Sequence, residues 1–136
     1  MLFRSLPPIP LDVTCAWPQP EYEAIYSANT AHIMSWLSVC AMFEGVALHL
    51  VTTGVFCLYG PFNENGAFTA GSNAAFHQQL KNENPEMGLR DIGDIEKLAN
   101  SLQLELIQRF RLPANNQLLQ FAVAPGGRTM DTQGGM

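Results

Sequence analysis

At 136 residues, with 47% hydrophobic and 14% charged side chains, the chain fits one globular domain with a modest core. Seven basic residues against twelve acidic ones give a formal net charge of -5, which speaks against a nucleic-acid partner. Cys15, Cys40 and Cys57 are odd in number and far apart, so they suit reduced, mostly buried thiols in a cytoplasmic protein.

The opening MLFRSLPPIP carries one arginine and three prolines and does not read as a signal peptide. No CxxC pair occurs, and His32, His49 and His77 are widely separated, so no metal is expected. Next comes Tyr22–Ala28 (YEAIYSA), a short strand by composition, although Glu21 and Glu23 leave a helical turn open. From Ile33 to Tyr59, thiols and the tyrosine hydroxyl aside, Glu44 and His49 alone are ionisable. A membrane span needs about 20 apolar residues, so that stretch has to be weighed.

Thr52-Thr53-Gly54 interrupts it. Before the break, Trp36, Val39, Cys40, Phe43, Val46, Ala47 and Leu50 recur at helical spacing, predicting a helix of about four turns. After it, VFCLY reads as a strand buried on both faces. Neither piece spans a bilayer, and no membrane partner is expected.

Ser72 or Asn73 can cap a following helix that carries Ala75, Phe76 and Leu80 on one side, broken by Asn82 to Gly88. Asp91 caps another, with Asp94 near the positive end of its dipole and Ile92, Ile95, Leu98, Ala99 and Leu102 as its buried stripe. Leu104, Leu106, Phe110 and Leu112 alternate along one strand; Leu119, Phe121 and Val123 alternate along the next. With PANN as the turn between them, the two strands form an antiparallel hairpin. The stretch from 124 to 136 has too little apolar surface to fold and is expected to be disordered.

Strands alternating with helices imply an α/β fold with a mainly parallel sheet. In such sheets ligands bind beyond the carboxyl ends of the strands. SANTAHIMSW and YGPFNENG then lie at one edge and frame a site.

LDVT, SANTAHIMSW, CLYGPFNENGAFT, SNAAF, NPEMGLRD and LPANNQLL occur in this order along residues 6 to 123. In this the chain resembles a little-characterised branch of the class I S-adenosylmethionine-dependent methyltransferases, the one that includes methyltransferase-like protein 26 and many bacterial relatives. The resemblance implies a Rossmann-like sheet in which IPLDVT ends the third strand, AIYSAN is the fourth and GVFCLYG the fifth. The final hairpin supplies the sixth and seventh. It also implies S-adenosylmethionine as cofactor, with a glycine-rich turn after the first strand.

No GxGxxG, nor even a GxG, occurs here. The chain is therefore expected to be a truncated methyltransferase-like domain lacking its first strands, with a proline-rich segment at 1–20 and the strand-helix core at 21–123. Alone, it is expected to be inactive.

Carried residue by residue, the resemblance puts Asp12 near the adenine amino group, the alternative being a solvated loop aspartate. Asn29 and His32 would line the gap between cofactor and acceptor, Asn29 touching both. His32 could take a proton from the acceptor, or be hydrogen-bonded for structural reasons. Tyr59, Asn63, Asn73, Asn115 and Asn116 would surround the acceptor, although asparagine is also at home in turns. Arg90 would pair with a substrate anion or with a carboxylate of the protein.

Cys57 reads as core. Two functions follow: a methyltransferase with an unknown small-molecule or protein acceptor, or a non-catalytic assembly or regulatory partner. The strand around YEAIYSA would leave an open sheet edge, so a homodimer or a partner chain is expected there.

Overall fold

The computed structural model describes residues 8–126, so most of the expected disordered tail lies outside the described residues. The elements run β1 (Tyr22–Ala28), α1 (Trp36–His49), β2 (Leu50–Gly60), β3 (Phe62–Asn63), α2 (Gly71–Glu83), β4 (Arg90–Asp91), α3 (Ile92–Ser101), β5 (Leu104–Leu112) and β6 (Asn116–Val123). The main sheet has the order β1-β2-β6-β5. β1 runs parallel to β2, while β6 is antiparallel to both of its neighbours. β3 and β4 form a separate parallel pair that the sequence did not announce.

Ser35 starts α1: its hydroxyl oxygen accepts from Ser38 N at 3.1 Å, one of the amides a helix start leaves without a partner. Val39, Met42, Phe43 and Val46 then fall on one buried side. They meet Phe56 and Leu58 of β2 and Leu119 and Phe121 of β6, all fully buried. Three aromatic rings form the middle of this core. Phe43 stands edge-on at 5.4 Å to both Phe56 and Phe121, which stack on each other at 5.8 Å. α3 closes the same side with Ile92, Ile95 and Ala99, the stripe anticipated from its spacing.

Several expectations are corrected. IPLDVT forms no strand: residues 8–20 lack one, prolines interrupt them, and Asp12 folds the chain into a turn by accepting from Thr14 N at 2.9 Å. Thr52-Thr53-Gly54 does not separate helix from strand; it belongs to β2, which begins at Leu50. The register with β1 jumps there, from Tyr22 opposite Leu50 to Ala24 opposite Val55. A Cβ at Gly54 would meet the Glu23 carbonyl at 2.8 Å, so glycine permits the approach.

The cap of α2 is Ala70, which offers no side-chain oxygen, and Ala75 is exposed while Asn73 turns inward. Cys15 is exposed, and Cys40 and Cys57 are half-buried, so the thiols are less covered than expected.

β2 is also buried on one face only. Phe56 and Leu58 are sealed, while Val55, Cys57 and Tyr59 between them are half-buried. In β5 the expected alternation fails after Leu106. The register slips between Leu106, opposite Phe121, and Gln108, opposite Gln120, so Ile107 is an extra residue. The bulge carries Phe110 and Leu112 to the far face and brings Arg109 and Arg111 to the core side. Among the described residues no helix is long and apolar enough to cross a membrane.

Replacing Phe121 by alanine removes one member of the aromatic trio and leaves a cavity between α1 and β2. The expected cost is about 3–5 kcal/mol in urea unfolding. A loss below about 1 kcal/mol would mean the trio does not carry the core.

Candidate functional site at the carboxyl ends of β1 and β2

Where β1 ends, Asn29 takes a left-handed backbone (φ 57°), and its amide donates to the Tyr59 carbonyl at 2.9 Å. The chain then turns through Thr30–Ile33 and buries Ala31 and His32. Beside it, β2 ends at Gly60. The His32 ring comes to 3.6 Å from the point where a Gly60 side chain would begin, and it meets the Phe76 ring edge-on at 5.5 Å.

Neither ring nitrogen of His32 has a hydrogen-bond partner among the described residues. Burial first, and the Arg90 charge second, push its pKa below 6.5. A neutral imidazole is the right form for a base, although only 6% of the residue is exposed.

The stretch NENG resolves into a two-residue hairpin. Glu64 and Ala67 exchange both backbone hydrogen bonds at 3.0 Å, and Asn65 (φ 53°) and Gly66 (φ 76°) supply the two positive-φ centres of a type I′ turn. The Gly66 amide donates to Asp91 at 2.6 Å, while the other oxygen of that carboxylate accepts from Gly93 N at 2.8 Å. One carboxylate therefore caps α3 and holds the turn against it.

Arg90 ties the loop after β1 to the segment before α3. Its guanidinium donates to the carbonyls of Ala31 at 3.0 Å, Met34 at 2.5 Å and Glu86 at 2.9 Å, and it lies 5.8 Å from the Trp36 ring centre. Neither partner anticipated from the sequence, a substrate anion or a protein carboxylate, is what it meets. Gly88 and Leu89 add bonds from the same segment to the His32 carbonyl and to His77 Nδ1, each at 3.0 Å.

Between α1, β3 and α3 a groove of about 720 Å³ opens, with Trp36, Cys40, Leu89 and Leu98 as walls and Asp94 and Lys97 at its polar end. Asn63 also lines it, and its Oδ1 is buried without a hydrogen-bond partner. Burial and the nearby Glu44 raise the Cys40 thiol, which makes it a poor nucleophile.

On the other side of β3, Glu64 receives Arg111 in a two-point grip at 2.8 and 3.0 Å, Arg109 at 3.3 Å and Gln117 Nε2 at 3.0 Å. Arg111 foremost holds the Glu64 carboxyl below its ordinary range. A cavity of about 140 Å³ beside this cluster is lined by Thr69, Asn115, Asn116 and Gln117. Gln117 is 2% exposed and its Oε1 has no partner.

The structure thus brings Asn63 and Arg90 to one groove and Asn115 and Asn116 to a second cavity. Asn73 is buried at the start of α2, donating to Thr69 Oγ1 at 3.1 Å. Tyr59 stands on the opposite face of the sheet, between the buried Leu58 and Gly60. Asp12 lies apart, its carboxylate also accepting from the Thr14 hydroxyl at 2.6 Å. Asn29 is exposed above the buried His32, so the two do not form an open pair. Glu64, Gln117 and Trp36 were missed; the Asn65-Gly66 turn signal was the available pointer to Glu64. Among the described residues no three His, Cys, Asp or Glu side chains cluster to hold a metal.

The family model for proteins of unknown function DUF938 matches residues 4–123, and the chain belongs to that family. Among solved structures it is similar to the O-methyltransferase NcsB1 from neocarzinostatin biosynthesis in complex with S-adenosylmethionine (TM-score 0.63, 14% identity, 78% of this chain and 30% of that one). It is similar to the mitomycin 7-O-methyltransferase MmcR (0.68, 11%, 78% and 31%) and to a pericyclic reaction enzyme (0.72, 9%, 85% and 30%). These likenesses show a mixed α/β, methyltransferase-like Rossmann fold. The chain spans about 30% of the length of each of these neighbours.

The environment of His32 sets a pH dependence. The folded protein keeps this ring neutral where the unfolded chain, near pH 6.5, takes up a proton, so protonation favours unfolding. The His32 contribution is complete above pH 6.5 and is lost as pH falls below it; His77 shifts in the same direction. In thermal melts, the stability gap between the natural chain and His32→Gln should narrow below pH 6.5. A gap constant from pH 8 to pH 5 would contradict this.

Proposed function

We propose that this DUF938 member is an S-adenosylmethionine-dependent methyltransferase-like protein whose 136 residues supply the acceptor side of the fold. The observation that carries the reading is the sheet order. A parallel pair is extended by a hairpin inserted backwards, so that β6 lies between β2 and β5. This matches the fourth, fifth, seventh and sixth strands of the class I sheet, and neighbours of this fold hold S-adenosylmethionine. Kinship with the branch that includes methyltransferase-like protein 26 belongs to the same proposal. So does a cytoplasmic location, in keeping with three unpaired thiols.

The residues described here do not by themselves fit the cofactor. Asp12 is engaged by its own turn, and the sequence contains no GxG to bring backbone amides against the ligand. No chemical step is therefore assigned to this chain alone. Within a complete domain, Asn29, Asn63 and the groove beside Arg90 would face the acceptor, and His32 would need the loop at 29–35 to open.

A second reading, a non-catalytic assembly or regulatory partner of this fold, draws support from the burial of His32. Calorimetry separates the two. This chain alone should bind S-adenosylmethionine and S-adenosylhomocysteine weakly or not at all. A chimera carrying the glycine-rich half of a family relative should bind both. A folded chimera that binds neither would overturn the methyltransferase reading.

A further inference from the structure

His77 stands half-buried on α2, and its Nδ1 accepts from the Leu89 amide at 3.0 Å. That bond settles the tautomer: the lone pair is on Nδ1 and the proton on Nε2. The approach is close because residue 88 is glycine. A Cβ there would come to 2.8 Å from His77 Cε1, and the Gly88 backbone (φ 153°) is one that side chains rarely adopt. The Phe68 ring lies 5.2 Å from the imidazole.

Leu89 is also a wall of the groove, next to Arg90, and is buried. The amide before it, Gly88 N, donates to the His32 carbonyl. One bond from a titratable ring therefore joins α2 to the stretch that supplies the groove with Leu89.

A proton on Nδ1 replaces the acceptor with a second N–H, which faces the N–H of Leu89 and leaves both unpaired. The surroundings resist that charge. Burial first, then Lys81 of α2 and Arg90 of β4, draw the His77 pKa below 6.5. Glu83 and Glu86 are exposed and do not act on the ring, and His32, on the loop after β1, is itself kept neutral. The bond is complete above pH 6.5, where the unfolded ring is neutral too, and is lost as pH falls through the lower value of the folded ring.

We propose that this bond is a proton-operated latch on the groove: uptake of one proton by His77 frees Leu89 from α2 and shifts the wall that Leu89 forms. Arg90 keeps its bonds to the Ala31 and Met34 carbonyls, so the release is confined to residues 88 and 89. A ligand resting on Leu89 binds more weakly in acid and, by linkage, drives His77 to give up its proton. The inference stands whether or not the protein acts on S-adenosylmethionine.

Nuclear magnetic resonance on the natural chain tests this without relying on any variant to fold. At pH 8, long-range proton–nitrogen spectra should show His77 with its proton on Nε2. Below pH 6.5 the exchange protection factor of the Leu89 amide should fall by about tenfold per pH unit until the folded ring has titrated, as one-proton linkage requires. The β5–β6 hairpin should keep its protection over the same range. The indole N–H resonance of Trp36, another wall of the groove, should titrate with the same midpoint. His77→Gln, whose side-chain oxygen accepts at every pH, should hold Leu89 protection constant from pH 8 to pH 5, whereas His32→Gln should retain the response. A proton on Nδ1 at pH 8 would overturn the proposal. So would Leu89 protection or a Trp36 resonance indifferent to pH, a loss shared equally by the hairpin, a His77→Gln chain that follows the natural one, or a His32→Gln chain that does not.

Discussion

Arg90 donates to the carbonyls of Ala31, Met34 and Glu86, and the site end of the molecule depends on that set of bonds. A half-buried guanidinium loses hydration, and burial is the first cause that draws its pKa down. It stays charged and offers a rigid fork of donors. No carboxylate lies within ion-pair distance among the described residues, so backbone carbonyls do the compensating. Two of those carbonyls, Ala31 and Met34, belong to a loop that has left the β1 ladder, and the third, Glu86, lies in the turn between α2 and β4; none of them has a strand to accept from. Each side satisfies the other.

From that tie the rest of the site follows. The segment before α3 is drawn alongside the loop after β1, which lets Gly88 reach the His32 carbonyl and Leu89 reach His77. His32 is pressed against Gly60 and Phe76 and kept neutral. Phe62 and Asn63 then pair with Arg90 and Asp91 as β3 and β4, and the Asp91 carboxylate fixes both the Asn65-Gly66 turn and the start of α3. A groove with one aromatic wall and an orphaned Asn63 acceptor is the product.

Much of this was legible in the sequence, and the failures have physical causes. α3 was readable because Asp91 caps it and its apolar residues keep helical spacing. The hairpin was readable because alternation and PANN agree. The phase change at Ile107 was not, since a bulge adds one residue without any compositional mark. It reversed the fate of four side chains, sending Phe110 and Leu112 outward and Arg109 and Arg111 towards Glu64. The partners of Arg90 were invisible for another reason: a backbone carbonyl has no side-chain identity to read. Asn29 and His32 were rightly placed after β1, yet three residues of turn put one in solvent and the other under Phe76.

The most direct test of the Arg90 tie is amide hydrogen exchange on the natural chain and on Arg90→Lys, which keeps the charge but loses the fork. Protection should fall at residues 29–35 and 84–91, while the β5–β6 hairpin exchanges as before. Unchanged exchange in those two segments, or an equal loss across the whole sheet, would contradict the dependence of the site on this one side chain.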